Sequence, residues 1–319
     1  MRTTFLAALI LFFAHTATAE QRWAIILSGA SGGPKYAESM KSWRTALTSA
    51  LVDRYGFAKD KVRVFVDETV KPGEQGTAVN VRAAIAEVKK QLTRDDVLII
   101  VLLGHGTYDG DAAKFNLVGP DLTASDWSTL LTGIAAKLVI VNTTEASFPF
   151  LEKLSGSNRV VITATDSAAQ KYATVFPEYF AKALGEASTD LDKNGRTSIF
   201  EVFAAASLSV KQHYEQRGQL TTERALIDDN GDGVGRESEA PGPDGALART
   251  LYLDGEDPAV ANNPELAELT RRRRELEAQA EALKLKKESM SGVQWEAEYE
   301  KLMVELAKIS REIREKTKS

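Results

Sequence analysis

Cysteine is absent from all 319 residues of the chain. That absence excludes disulfide stapling, a thiolate nucleophile and any cysteine-bound metal, so stability must come from a buried core and any nucleophile must be an oxygen or nitrogen. Histidine is scarce as well, at three residues, which leaves few candidates for a general base. An excess of positive charge is also lacking. Lys and Arg number 40 against 45 Asp and Glu, a net charge of −5, without the basic footprint that nucleic acid selects. No apolar run reaches the ~20 residues that cross a bilayer, so no membrane span is expected.

The short apolar run that is present stands at the start. Arg2 supplies a positive head, residues 5–14 an apolar segment and Ala17-Thr18-Ala19 a small-residue cleavage pattern, the layout of a secretory signal peptide cut after Ala19. The expectation is an exported protein, periplasmic or extracellular. Residues 20–254 then suffice for one α/β domain, 255–263 read as a linker, and 264–319 as helix.

Within the domain, Trp23 to Leu27, Val62 to Asp67, Asp96 to Leu103, Lys137 to Asn142 and Arg159 to Ala164 are short apolar runs. Helical patterns such as residues 36–55 and 80–93 separate them. Continuous apolar strands alternating with helices predict a mostly parallel sheet covered on both faces, a three-layer α/β fold. Ligands in such sheets sit beyond the carboxyl ends of the strands. Those ends carry Gly104-His105-Gly106, Asn142-Thr143-Thr144-Glu145 and Thr163-Ala164-Thr165, which converge if the three strands are neighbours. His15 leaves with the signal and His213 lies in a polar helical stretch, so His105 is the candidate general base, its flanking glycines letting backbone approach a substrate. A histidine that merely bonds nearby backbone is the alternative.

The strand ending in LLGHGTYDG, followed about 40 residues later by a strand ending in a small polar tip, resembles the histidine and nucleophile blocks of the caspase-like (clan CD) cysteine peptidases, most of all the legumain family. WAIILSG resembles that family's first strand and VVITATDS the strand after its nucleophile, so the likeness covers roughly residues 22–184. It implies a caspase-like fold and a peptide-sized cleft around His105, Thr144 and Thr165. The family's Glu-Ala-Cys-Glu-Ser pattern aligns with Asn142 to Ala146, which puts Thr144 where the nucleophilic cysteine stands. An internal threonine hydroxyl offers essentially no anion at neutral pH. The arginine of the legumain specificity pocket is missing too, Lys35-Tyr36-Ala37 standing there. The expectation is a pseudo-peptidase that binds a peptide or protein without cutting it. The enzyme alternative makes His105 the base, Thr144 or Ser147 the nucleophile and backbone at Gly106 the oxyanion donor. A third reading keeps the fold only to present the C-terminal helices.

Two Asp-rich loops match the twelve-residue calcium pattern. In the first, Asp190, Asp192, Asn194 and Glu201 offer side-chain oxygens, Arg196 a carbonyl and Ser198 a water-mediated contact. Ser198 and Glu201 also spell a capping box. The second offers Asp228, Asn230, Asp232, the carbonyl of Val234 and Glu239, but has Arg236 at its ninth position, so a half-site or a plain Asx turn reads equally well. With oxygen ligands and no cysteine, Ca2+ is the expected cofactor.

Leu269, Leu276, Leu283 and Met290 recur every seven residues, Ser289 to Gly292 break the pattern, and Trp295, Tyr299, Leu302, Leu306, Ile309 and Ile313 resume it. This predicts an antiparallel coiled-coil hairpin that serves self-association or docking. The run Arg271 to Arg274 is surrounded by glutamates at helical spacing and reads as a solvated face of i,i+4 pairs.

Overall fold

A computed structural model describes residues 20–68, 71, 73–170, 172–255, 260 and 263–317. The expected signal peptide and most of the expected linker, 256–259, 261 and 262, lie outside the described residues. Among the described residues nine strands form: β1 Arg22–Ser28, β2 Val62–Phe65, β3 Val97–Leu103, β4 Gly106–Tyr108, β5 Ala113–Phe115, β6 Leu122–Thr123, β7 Lys137–Asn142, β8 Arg159–Thr163 and β9 Leu226–Asp228. Six build the central sheet in the order β2-β1-β3-β7-β8-β9, every pairing parallel except β8 with β9. The other three make a small antiparallel sheet directly after His105.

The strands are apolar throughout because both faces of the sheet are covered. Alternate residues point to opposite sides. Ala24, Ile26, Ile99, Val101, Val139, Val141 and Ile162 pack with helices α1 (Pro34–Ser49), α5 (Phe176–Gly185), α6 (Ile199–Glu215) and α7 (Ala246–Thr250). Trp23, Ile25, Leu27, Leu98, Ile100, Leu102 and Ile140 pack with α2 (Ala78–Lys89), α3 (Ala124–Leu131) and α4 (Phe148–Leu154). Three layers result. Helix ends are fixed locally: Thr77 accepts from Asn80 N, and Thr123 with Asp126 and Ser198 with Glu201 close reciprocal capping boxes, each such cap contributing about 1 kcal/mol.

Residues 264–317 form the expected hairpin, α8 (Pro264–Leu285) and α9 (Gly292–Thr317) joined by a 3-10 turn at Lys287–Ser289. Trp295 Nε1 donates to Leu283 O at 2.8 Å beside the turn, and Lys316 meets Glu265 at 2.9 Å at the open end, so the helices run antiparallel. One edge of α8, including Leu266, Thr270 and Ala280, is buried, and Arg249 of α7 reaches Glu281 at 3.9 Å. Arg271 pairs with Glu268 and Glu275, and Arg273 with Glu277, as the charge pattern predicts. No helix among the described residues is long and apolar enough to cross a membrane.

Candidate functional site

β3, β7 and β8 are adjacent, so their carboxyl ends meet as the sequence implies. Gly104 turns the chain after β3 with φ of +148°, and a Cβ there would stand 3.3 Å from Gly29 N. A side chain would wedge the tips of β1 and β3 apart. The turn delivers His105 beneath Tyr36 of α1, the two rings edge to face at 4.6 Å. His105 Nδ1 lies 3.2 Å from Glu145 Oε1, and Nε2 lies 3.2 Å from the Ser31 carbonyl. Both ring nitrogens therefore face acceptors. A neutral imidazole would turn a lone pair toward one of them, whereas the imidazolium donates to both. Hydrogen bonding to Glu145 is the main cause that holds the His105 pKa above its ordinary 6.5, against the opposing effect of burial. The second carboxylate oxygen, Glu145 Oε2, accepts the Gly106 backbone N–H at 3.2 Å. One carboxylate thus occupies both the candidate base and the candidate oxyanion donor.

Thr144 lies under this bridge and is fully buried. Among the described residues its Oγ1 has no hydrogen-bond partner, and a Cβ on Gly106 would meet that oxygen at 2.5 Å. The Nδ2 of Asn142 is buried without a partner too, while its Oδ1 accepts Thr144 N at 3.1 Å. Thr143 extends the ladder past β7, its N and Oγ1 both donating to Leu102 O at 3.1 and 2.7 Å. Ser147 is saturated. Its Oγ accepts Ala164 N at 3.1 Å and Thr165 N at 3.2 Å and lies 3.0 Å from Thr165 Oγ1, which donates to Glu145 O at 3.2 Å. This chain of bonds clips the tip of β7 to that of β8 and fixes Glu145. Thr144 and Thr165 do not line an open cleft as expected; both are interior residues because the loops after β3 and β7 close over them.

In the first Asp-rich loop, Asp190, Asp192 and Glu201 present carboxylate oxygens that all lie within 4.8 Å of one another. Burial first, then repulsion from Glu201 and Asp190, pushes the Asp192 carboxyl above its usual range. The loop runs between α5 and α6, as a helix-loop-helix requires. Three hard oxygen donors fit a divalent cation. Ser198 is committed to the capping box with Glu201 Oε2 at 2.8 Å, and Asn194 Oδ1 accepts Arg196 N at 2.8 Å.

The second loop assembles differently from the expected cation site. The Arg236 guanidinium donates to Val234 O at 2.9 Å, to Asp232 Oδ2 at 3.3 Å and to Asp244 Oδ2 at 2.6 Å. Asp228 caps Gly231 N and Gly233 N, both at 2.9 Å, and Asn230 Oδ1 accepts Asp232 N at 2.7 Å. Glu239 turns away to Lys211 Nζ at 2.8 Å. A built-in cation stands where the pattern would place a metal, so this loop is an Asx-rich turn closed by arginine.

No family model matches the chain. Among curated proteins it is similar to Metacaspase-4 and Metacaspase-7 of Arabidopsis thaliana, at 39% and 42% identity over 57 residues. Each match takes in 18% of this chain and only 13% and 14% of the respective metacaspase. This is a local likeness to peptidases of the caspase-like class, in keeping with the strand order and the place of His105. A crystal structure of a Geobacter sulfurreducens protein is 13% identical over 65% of this chain and 92% of its own length, with TM-score 0.42, too slight to argue from.

Sequence reasoning missed the part played by Glu145 and by the Ser31 carbonyl. An acidic residue directly after the nucleophile position was visible. Its engagement of His105 and Gly106 depends on side-chain direction that spacing does not specify.

Proposed function

We propose that the protein is an exported, non-catalytic relative of caspase-type peptidases, a peptide- or protein-binding module with a helical hairpin for docking. One observation carries the reading: the Glu145 carboxylate engages both His105 Nδ1 and Gly106 N–H at 3.2 Å and favours the protonated ring, while the Thr144 hydroxyl is buried without a hydrogen-bond partner among the described residues. A general base needs a free lone pair and a nucleophile needs a path to the substrate. The acceptors facing both His105 nitrogens disfavour the first, and the burial of Thr144 opposes the second. A peptide-library hydrolysis assay tests it, with no cleavage above buffer expected. Turnover that disappears in His105→Ala and Thr144→Ala would overturn it, and cleavage gained in Thr144→Cys would mean the cleft lacks only its thiol.

The three carboxylates at Asp190, Asp192 and Glu201 support one Ca2+ in the first loop, relieving repulsion that the apo loop carries. Asp190 and Asp192 at the loop entrance and Glu201 at the start of α6 would hold it. The expected result is a rise in melting temperature in millimolar calcium, absent in Asp190→Ala/Glu201→Ala, with a stoichiometry of one because Arg236 fills the second loop.

A further inference from the structure

Five arginines converge where the hairpin meets the α/β body. Arg22 at the start of β1, Arg54 in the turn after α1 and Arg196 of the first Asp-rich loop come from the body, Arg273 and Arg274 from α8. With Asp254 they line a cavity of about 650 Å³. The two hairpin arginines have carboxylate partners, Arg273 meeting Glu277 at 3.4 Å and Arg274 meeting Glu20 at 3.3 Å. The body arginines differ. Arg22 donates to the backbone carbonyls of Tyr55, Gly56 and Leu253 and lies over the Phe57 ring. Arg54 reaches only the Gly185 carbonyl, at 3.4 Å, and the Tyr55 ring. Arg196 is stacked 3.6 Å above Tyr252, and its Nη1 is buried without any acceptor. Among the described residues none of these three forms an ion pair.

Burial chiefly, then proximity to Arg273 and Arg274, lowers the Arg196 pKa, so like charges are held together in a partly desolvated place. That is costly without an anion. A protein with net charge −5 has acids to spare, yet among the described lining residues it places only Asp254 here, and that carboxylate already accepts Thr197 N at 2.7 Å. Guanidinium groups present planar forks that match phosphate oxygens in pairs.

We propose that this cavity is a binding site for an oxyanion of phosphate chemistry, free or as the charged end of a small molecule, and that its occupancy fastens the hairpin to the body. Arg22, Arg54 and Arg196 supply the charge from one side and Arg273 from the other, so the ligand bridges the two. The site is remote from His105 and independent of the reading given above for the strand tips.

The test is thermal unfolding of the full chain in sodium phosphate against sodium chloride at equal ionic strength, calcium omitted. Chloride reports the screening of like charges. Phosphate near a hundredfold its dissociation constant should add a saturable increment of roughly 5 °C beyond chloride, with slower amide exchange along α8. Arg196→Gln should lose that increment; Arg54→Gln, at an exposed position, should weaken it. Glycerol phosphate distinguishes the sources: an increment larger than that of inorganic phosphate assigns an organic ligand, an equal or smaller one the free ion. Equal effects of chloride and phosphate, or a phosphate increment untouched in both variants, would overturn the proposal.

Discussion

Replacing Thr144 by valine should make the protein more stable. The Thr144 hydroxyl is buried and has no hydrogen-bond partner. Burying such a group uncompensated costs about 1–3 kcal/mol relative to water. Valine keeps the branched shape and presents a methyl, which needs no partner, where the oxygen sits. The larger methyl presses toward the Cα of Gly106, where no Cβ stands in the way, so part of the gain is lost to crowding and a net ~1 kcal/mol remains. For a domain of this size that raises the melting temperature by roughly 2–4 °C. Thr144→Ser provides the control: it keeps the unsatisfied oxygen and deletes a packed methyl, so it should fall below the wild type by about 1 kcal/mol. Urea unfolding of the three proteins gives the ranking, valine above threonine above serine, with unchanged denaturant slopes. A valine variant less stable than the wild type by 1 kcal/mol or more would mean that the hydroxyl has a partner after all, and the account of Thr144 as an idle oxygen would fail.

Glu145→Gln removes the carboxylate that raises the His105 pKa above 6.5. A histidine whose folded pKa is raised contributes stability fully present below the unfolded value and lost as pH climbs through the folded value. The deficit of the variant should be largest near pH 6, at about 1.5–3 kcal/mol for a charge-assisted bond in a mostly buried pair, and shrink in alkaline solution; a deficit independent of pH, or a His105 ring titration unmoved by the substitution, would refute the pairing. Gly106→Ala places a Cβ 2.5 Å from Thr144 Oγ1, 3.0 Å from Ala146 Cβ and 3.1 Å from Lys114 O, which should cost about 1–3 kcal/mol. Adding Thr144→Ala should return part of that loss, and strictly additive effects in the double-mutant cycle would show that the two positions do not touch.

The sheet was legible because its central strands are buried on both faces and therefore carry unbroken apolar runs, as Val97 to Leu103 does with every residue buried. Leu226–Asp228 was not, since three residues inside a polar stretch give no periodicity and join the sheet through the antiparallel edge of β8. The small sheet after His105 escaped for the same reason, its strands being two or three residues long. Heptads announced the hairpin, but not that Arg273 and Glu277 of its first helix would face Arg196 and the calcium-loop candidate. Matching positions offered one full calcium loop and a second that read equally well as a half-site or an Asx turn, and one residue bears on the choice for the second. Arg236 sits four residues beyond Asp232 and brings a positive charge to oxygens that a cation would otherwise claim.

Thr144 alone does not carry the proposed non-catalytic reading, because a threonine beside a free imidazole still has a base to call on. Glu145 supplies what that proposal needs. Its carboxylate gives His105 a permanent partner, and its other oxygen takes the N–H that a developing oxyanion would need. Both bonds are charge-assisted and lie in a site where the two side chains are only 20% and 14% exposed, so a substrate carbonyl, neutral in its ground state, would have to displace an anion already in place. The Ser147 and Thr165 hydroxyls hold the Glu145 backbone against that displacement through a saturated relay to β8. A thiol placed at position 144 therefore meets two obstacles, an imidazole whose nitrogens both face acceptors and an occupied amide. Thr144→Cys alone should stay silent toward peptides, and only its combination with Glu145→Ala should begin to free His105; activity from the single substitution would show that the Glu145 bridge opens readily in solution.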